Sequence, residues 1–495
     1  MKKHTIELVP LGKKLIIGEG VPLIDILHEY GIEFPCGGKG TCGRCRVKVL
    51  KGEIRTDKYH RDQLSKLKLD PSWRLACLSR CTSDLVLEVA QYEAMFKADE
   101  SSFDFTPGEG LGVAFDLGTT TLVGQLLDLE TGRILGVDTA LNPQAKFGGD
   151  LISRIESAMG GSGEEMVGMI REKTGEMMHA LCRGCGKEIR KVIMVGNTVM
   201  QHLFCDADVT PLATYPFEPP DLGKRVFSAG DLGWNVPVES VEFYPSIGSF
   251  VGSDILAGIM AAGMHTREET TVLIDIGTNG EIVIGNREGL LCASTAAGPA
   301  FEGSKISMGM LATTGAISRV TADGDHWEYQ VIGNAEPRGI CGSGLIDVVA
   351  LLLEGGKIGG FGEILSGEGE IALAGQVRVT QRDIQEFQLA KAAIATGLEI
   401  LMDRLSIGPD HIRQVYIAGG FGSYINLDNV VRTGMLRCDP ERMRQLGNTA
   451  LIGAKMFLFG DGSGAASILE KTTHVHLESE PRFQDLYIKH MEFTR

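Results

Sequence analysis

The sequence predicts a small α+β unit, in which a short mixed sheet grasps one helix, followed by a longer duplicated α/β unit. Two observations carry this. A thiol-rich loop, CGGKGTCGRC from Cys36 to Cys45, sits among short strands with alternating apolar and polar residues. Beyond residue 110, two segments recur in the same order. VAFDLGTTTLVGQLLDLETGRIL (113–135) resembles VLIDIGTNGEIVIGNREGLL (272–291), and HALCRGCGKEIRKVIMVGN (179–197) resembles MDRLSIGPDHIRQVYIAGG (402–420). The first pair reads as strand, Asp-x-Gly-Thr turn and two more strands; the second reads as helix, turn, strand and glycine loop. Asp116 and Asp275 of the two turns lie 159 positions apart (275 − 116). Two segments repeated in one order mark a duplication, with a nucleotide-sized cleft expected between the halves.

Taken in order, HTIELV, a Pro-Leu-Gly-Lys turn and KLII form a hairpin from His4 to Ile17, and PLIDILHEYGI forms a short amphipathic helix ending at Gly31. The thiol loop follows, then the strands RVKVLKGEI and DLVLEVA. The first unit is placed at 1–94. An aperiodic stretch rich in acids, Pro and Gly makes 95–110 a linker. The halves of the second unit are placed at 111–270 and 271–495, and the apolar helix 383–405 is assigned to its core.

The whole chain limits its partners. At 495 residues it suggests about three domains. A formal net charge of −16 repels phosphate backbones and anionic bilayers, so neither nucleic acid nor membrane is an expected partner. MKKHTIELVPLGKKLII lacks the apolar core of a signal peptide, and no apolar run is long enough to span a bilayer. The expected location is the cytoplasm, where the eleven cysteines serve as ligands or buried apolar residues rather than disulfides.

The thiol spacing C-x5-C-x2-C, with a distant Cys77 in RLACLSRC, suits a metal centre in two ways. Iron–sulfur ligation takes Cys36, Cys42, Cys45 and Cys77 and leaves Cys81 spare; a structural zinc takes Cys42, Cys45, Cys77 and Cys81 and leaves Cys36 idle. Glycines that turn several amides toward sulfur favour the cluster. Cys182 and Cys185 sit in a plain loop, and Cys205, Cys292, Cys341 and Cys438 stand among apolar or small residues, so none is assigned chemistry.

The Asp-x-Gly-Thr turns suit polyphosphate: glycine admits close approach, hydroxyls and amides hold phosphate oxygens, and the carboxylate orients water or Mg2+. The paired glycines of IAGGFGS (417–423) leave room for a base or ribose. Three further stretches combine small and polar residues: NPQAKFGGDLISRI (142–155), ASTAAGPAFEGSKISMGM (293–310) and PRGICGSGLIDV (337–348). Anion binding and tight helix packing account for them equally well.

CGGKGTCGRC followed by RLAC resembles the [2Fe–2S] ferredoxins with five residues in the first gap, which implies a β-grasp fold over 1–94. The two turns and IAGGFGS resemble the phosphate-1, phosphate-2 and adenosine motifs of the actin, sugar-kinase and heat-shock chaperone superfamily. That resemblance implies an actin-like α/β ATPase with two ribonuclease-H-like halves. It implies that Asp116, Gly118, Thr119 and Thr120 form the first phosphate loop, with Asp275, Gly277, Thr278, Asn279 and Gly280 forming the second. Gly419 and Gly420 would lie at the adenosine. Glu281 either orients the attacking water or is a surface carboxylate on the next strand. Unlike many superfamily members, TTTLVGQ carries no basic residue, leaving Lys146 and Lys305 as candidates for the γ-phosphate.

The fused modules, with NPQ, GNT, FVGSDI, AGPAFEG and QLAKAAI, resemble the reductive activators of corrinoid proteins. This implies an enzyme, and one-electron transfer from a [2Fe–2S] cluster to the Co(II) of a corrinoid protein, driven by ATP and Mg2+. Co(I) is thereby regenerated for methyl transfer, as in O-demethylation systems. A low-potential donor such as ferredoxin or flavodoxin is implied, and a homodimer is compatible with it. Only the short linker stands where longer members carry a middle domain. The alternative is a chaperone-like ATPase whose metal centre is structural or redox-sensing.

Overall fold

The computed structural model describes residues 2–9, 13–27, 40–41, 45–67, 69, 72–88, 105–183, 185–312, 315–324, 326–332, 336–419 and 425–493. In the first unit, β1 (Lys3–Val9), β2 (Lys13–Gly18), β3 (Arg46–Lys51), β4 (Trp73–Leu75) and β5 (Leu85–Glu88) form one sheet in the order β2-β1-β5-β3-β4. Alternation places His4, Ile6 and Leu8 of β1 inward. Ile6 and Leu8 pack with Leu27 of α1 (Ile24–Leu27), Val47, Leu75 and Leu87. Two elements were not expected from the sequence, β4 and α2 (Lys58–Lys66). The polar helix KYHRDQLSK forms because Asp57 caps it, accepting from the His60 amide at 2.7 Å.

The second unit holds two six-stranded sheets. The first contains β6 (Leu111–Leu117), β7 (Thr121–Asp128), β8 (Ile134–Leu141), β9 (Ile189–Gly196), β10 (Arg225–Phe227) and β11 (Val238–Phe243), ordered β10-β11-β9-β6-β7-β8. The second contains β12 (Thr271–Ile276), β13 (Gly280–Asn286), β14 (Gly289–Thr295), then β20 (Gln414–Ala418), β21 (Met443–Gly447) and β22 (Thr472–His474), ordered β21-β20-β12-β13-β14-β22. Five strands correspond one to one: β11-β9-β6-β7-β8 with β21-β20-β12-β13-β14. The registers agree as well, with Asp116 beside Val195 and Asp275 beside Ala418. Between β14 and β20 lie two small sheets absent from the sequence reading, one of β15 (Ala316–Asp323), β16 (His326–Val331) and β17 (Gly339–Ile340), the other of β18 (Glu370–Ala372) and β19 (Arg378–Thr380).

On the first half lie α3 (Leu151–Ser157), α4 (Gly163–Leu181), α5 (Thr198–Cys205) and α6 (Ser253–Ala262); on the second lie α7 (Gly342–Glu354), α8 (Gln381–Leu405), α9 (Leu427–Arg432) and α10 (Thr449–Phe459). Helices α6 and α10 pack against each other and join the halves, sharing one core of Ile255, Leu256, Ile259, Leu451, Ala454 and Phe457. Tyr244 stacks on Phe457 with centroids 4.3 Å apart. Gly453 is needed there because a Cβ would collide with the backbone of Ala257.

Helix α8 lies in the core as expected, and a Thr380/Asp383 capping box starts it. The polar residues of its QLAKAAI stretch turn out to anchor the C-terminal segment. Gln388 Nε2 donates to the Met491 carbonyl at 2.8 Å and Lys391 Nζ to that of Glu492 at 2.6 Å. Most of the expected linker lies outside the described residues, but its end is docked. Phe105 packs on Phe459 with ring centroids 4.4 Å apart, and the Gly108 amide donates to Leu129 O at 2.8 Å.

Candidate active site

The two turns face each other across one cleft. In the β6–β7 hairpin the Gly118 amide donates to Thr121 O at 3.0 Å; a Cβ at Gly118 would lie 2.6 Å from that oxygen. In the β12–β13 hairpin the Gly277 amide donates to Asn279 O at 3.0 Å. Asp116, Gly118, Thr119 and Thr120 line the cleft opposite Asp275, Gly277, Thr278 and Asn279, with Glu281 and Gly419 beside them. At Gly419, with φ of 92°, a Cβ would meet Ile276 O at 2.6 Å and Asp275 Oδ1 at 2.7 Å. Its repeat equivalent Gly196 presses in the same way on Leu117 O.

Gly280 is placed differently from expectation. It begins β13, is buried, and a Cβ there would strike Ile394 Cγ1 and Thr295 Oγ1, so it serves strand packing against α8. Gly420 lies outside the described residues. Lys146 is held by Glu165 at 2.7 Å over the Phe147 ring, and neither it nor Lys305 lines the cleft. Glu281 is not a surface carboxylate. It pairs directly with Asp275 across β12 and β13, so both side chains share one face, and Ser294 Oγ donates to it at 3.3 Å. The equivalent position opposite Asp116 is Val123, so this acid belongs to the second half alone.

Sequence reading missed four polar residues here. Asp254, near the start of α6, lines the cleft. Asn448 caps α10 and donates from Nδ2 to Asp116 Oδ2 at 2.7 Å, tying one half to the loop of the other. Asn197 donates to Thr119 Oγ1 at 3.1 Å, and Glu302 accepts from Thr278 Oγ1 at 2.9 Å. The available signal was the tripeptide Gly-Asn-Thr, which occurs at both 196–198 and 447–449.

Asp116, Asp254, Asp275 and Glu281 form a half-buried acidic cluster. Burial raises Asp116 to about 6 against the opposing Asn448 bond. Burial and then Asp116 raise Asp275 to about 7; burial, Asp275 and Asp116 raise Asp254 to about 8. Glu281 is raised well above its usual range by burial, Asp254 and Asp275. Among the described residues no lysine or arginine lines this cleft. Among the described residues no three of these carboxylates converge closely enough to hold a metal ion directly, so a Mg2+ here would keep most of its waters, with the carboxylates holding those waters and phosphate completing its shell.

A pH dependence follows. Raised pKa values mean that the folded chain binds more protons than the unfolded one, whose carboxyls titrate near about 4. Without metal, stability is therefore expected to fall as pH rises from about 4 through 6, 7 and 8, as the cluster is forced to ionise. Mg2+ takes the place of those protons, so thermal melts should show a larger Mg2+-induced rise in Tm at about pH 8 than at about pH 5. Equal rises would contradict this.

In the first unit, β4 leads into a 3-10 turn, Ala76–Leu78, that carries Cys77. The Ala76 amide donates to Cys45 O at 2.8 Å, and His60 Nε2 accepts from the Leu75 amide at 3.0 Å. These bonds bring Cys45 Sγ to 3.2 Å from Cys77 Sγ, close enough for one iron to take both thiolates. Cys36 and Cys42 lie outside the described residues. Cys81 is fully buried in the hydrophobic core, where burial, Asp84 and Glu19 push its thiol up and disfavour a thiolate ligand. Burial also pushes up Cys182 and Cys438 to about 11 and Cys205 to about 12.

Comparison with known proteins extends these observations over the whole chain. The family described as "2Fe-2S iron-sulfur cluster binding domain" matches residues 9–82, "RACo middle region" matches 111–267, and "C-terminal domain of RACo the ASKHA domain" matches 269–495. The middle region is thus the first half itself, which corrects the expectation that it is missing. The "Corrinoid activation enzyme RamQ" of Eubacterium limosum is 31% identical, with 95% of each chain covered. The "[Co(II) methylated amine-specific corrinoid protein] reductase" of Methanosarcina barkeri is 26% identical, with 77% of each covered. The solved structure titled "Reductive activator for corrinoid,iron-sulfur protein" superposes with a TM-score of 0.70 at 28% identity, covering 99% of this chain and 98% of that one. The fold is therefore a ferredoxin-type domain followed by an actin-like ATPase domain, with no helix among the described residues long and apolar enough to cross a membrane. The chain belongs to the family of corrinoid activation enzymes, the ATP-dependent reductive activators of corrinoid proteins.

Proposed function

We propose that this enzyme reductively activates a corrinoid protein: one electron passes from its ferredoxin domain to Co(II), and ATP hydrolysis in the cleft makes the transfer favourable. The supporting observation is that a paired-thiol site and a cleft lined by four half-buried carboxylates occur in one chain, similar over 95% of its length to a corrinoid activation enzyme. Cys36, Cys42, Cys45 and Cys77 hold the [2Fe–2S] cluster, which supplies a one-electron carrier near about −400 mV. Asp116, Asp254 and Asp275 hold Mg2+ through its waters. Gly118, Thr119 and Thr120, with Gly277, Thr278 and Asn279, receive the phosphates, and Gly419 with Gly420 admits the adenosine. Glu281, fixed by Ser294 on the same face as Asp275, orients the attacking water.

The difficulty is energetic, because corrinoid Co(II) is harder to reduce than such a cluster. Bound nucleotide touches loops from both halves, which are joined at α6 and α10 and by the Asn448–Asp116 bond. A nucleotide-dependent change in their relative position alters the surface offered to the corrinoid protein and favours the complex in which cobalt accepts the electron. The electron donor is a low-potential ferredoxin or flavodoxin. Anaerobic protein mixed with MgATP, a low-potential reductant and a Co(II) corrinoid protein is expected to develop the Co(I) absorption band. Failure to form Co(I) by a preparation that retains its visible cluster bands would refute the proposal.

A further inference from the structure

We propose that Asn142 and Arg154 are positioning residues for ATP: they hold the carbonyls of the first phosphate loop backward so that its amides face the polyphosphate, and Arg154 lends it positive charge. This rests on the reading of the cleft as an ATP site. Both residues lie in NPQAKFGGDLISRI, whose role the sequence left open. Asn142 Nδ2 donates to Gly118 O at 2.9 Å, its backbone amide donates to Thr120 O at 2.8 Å, and Arg154 Nη2 donates to Thr119 O. Three successive carbonyls are thus tied to one side. In a trans peptide the following N–H points the opposite way, so the Thr119 and Thr120 amides turn toward the cleft that these residues line. Among the described residues neither amide has an acceptor within the chain. Successive amides pointing one way form an anion-binding concavity.

Arg154 is also an unusual place for a charge. Only 1% of it is exposed, and its remaining contacts are Gly148 O at 3.0 Å from Nε and Met200 Sδ at 3.4 Å from Nη1. Among the described residues no carboxylate lies within 4.0 Å of it; Asp150 and Glu302 act only at longer range. Burial lowers its pKa to about 10, which leaves it charged at neutral pH. A buried guanidinium bonded to neutral carbonyls is costly until an anion comes near. Lying behind Thr119, it gains a closer anion than Asp150 or Glu302 when phosphate occupies the cleft, and it supplies the positive field that TTTLVGQ lacks.

The test is calorimetric titration of the full-length chain with MgATP and, separately, with adenosine. Arg154→Gln removes the charge and is expected to weaken MgATP by about 10- to 100-fold while leaving adenosine within about 2-fold. Arg154→Lys keeps the charge but loses the fork and should weaken MgATP by about 3- to 10-fold. Should Arg154→Gln not fold, the lysine variant and Asn142→Ala carry the same comparison. Unchanged MgATP affinity, or equal losses for MgATP and adenosine as a purely structural brace would give, overturns the assignment. A wild-type chain that binds no MgATP would instead overturn the ATP site itself, and this assignment with it.

Discussion

Replacing Cys77 with serine is expected to remove the iron–sulfur absorption and abolish cobalt reduction, whereas Cys81→Ser should retain both. The two thiols lie only four residues apart but in different settings. Cys77 is carried on the 3-10 turn that puts its sulfur 3.2 Å from Cys45, and backbone bonds from Leu75 and Ala76 hold the turn in place. Cys81 points into the apolar core, and burial beside Asp84 and Glu19 opposes the thiolate form that a metal requires. ATP hydrolysis by the Cys77 variant should persist, because every described residue lining the cleft belongs to the second unit. Iron analysis and visible spectra of both variants check this. Loss of iron from Cys81→Ser would show that the fourth ligand is Cys81 and would revive the zinc-like ligand set.

Asp275→Asn is expected to lower ATP turnover by about 10³-fold while raising thermal stability without metal. The opposite signs come from one cause. Asp275 is half-buried near Asp116 and Asp254; desolvation and then repulsion from Asp116 raise its pKa to about 7, and that same negative field attracts a divalent cation. An amide removes the repulsion and, with it, much of the affinity for Mg2+. A residue important only for folding would lose activity and stability together. Turnover assays and metal-free melts at about pH 8, where the carboxylate is most strained, separate these outcomes.

Much of this architecture was legible because duplication is a strong signal. The aspartate–glycine turns at 116–118 and 275–277 mark equivalent hairpins, and the five-strand correspondence follows from them. Helix α8 was legible as core because its apolar residues recur at helical spacing. Less legible were elements fixed by a few isolated contacts. Helix α2 is largely polar, and its capping Asp57, the Leu64 contact with the core and the His60–Leu75 bond that hold it leave no periodic signal in the sequence. Asp254 and Asn448 stand at the starts of two helices far apart in sequence, and the association of α6 with α10 brings them to the same cleft. Arg154 was hidden for the same reason: in ISRI it reads as a surface cation, yet the fold buries it behind a loop thirty-five positions earlier. The role of the polar residues in QLAKAAI was not legible either, since they bind the chain's own C-terminal carbonyls.

The coupling between cleft and thiol site is tested most directly by a single-turnover experiment. Protein with its cluster reduced beforehand is mixed anaerobically with one equivalent of Co(II) corrinoid protein, with MgATP or MgADP, while cluster reoxidation and Co(I) formation are followed together. With MgATP the two signals should rise together in a one-to-one ratio, and with MgADP both should be nearly absent. Equal Co(I) formation with either nucleotide, or ATP hydrolysis with the cluster left reduced, would contradict an ATP-driven electron transfer.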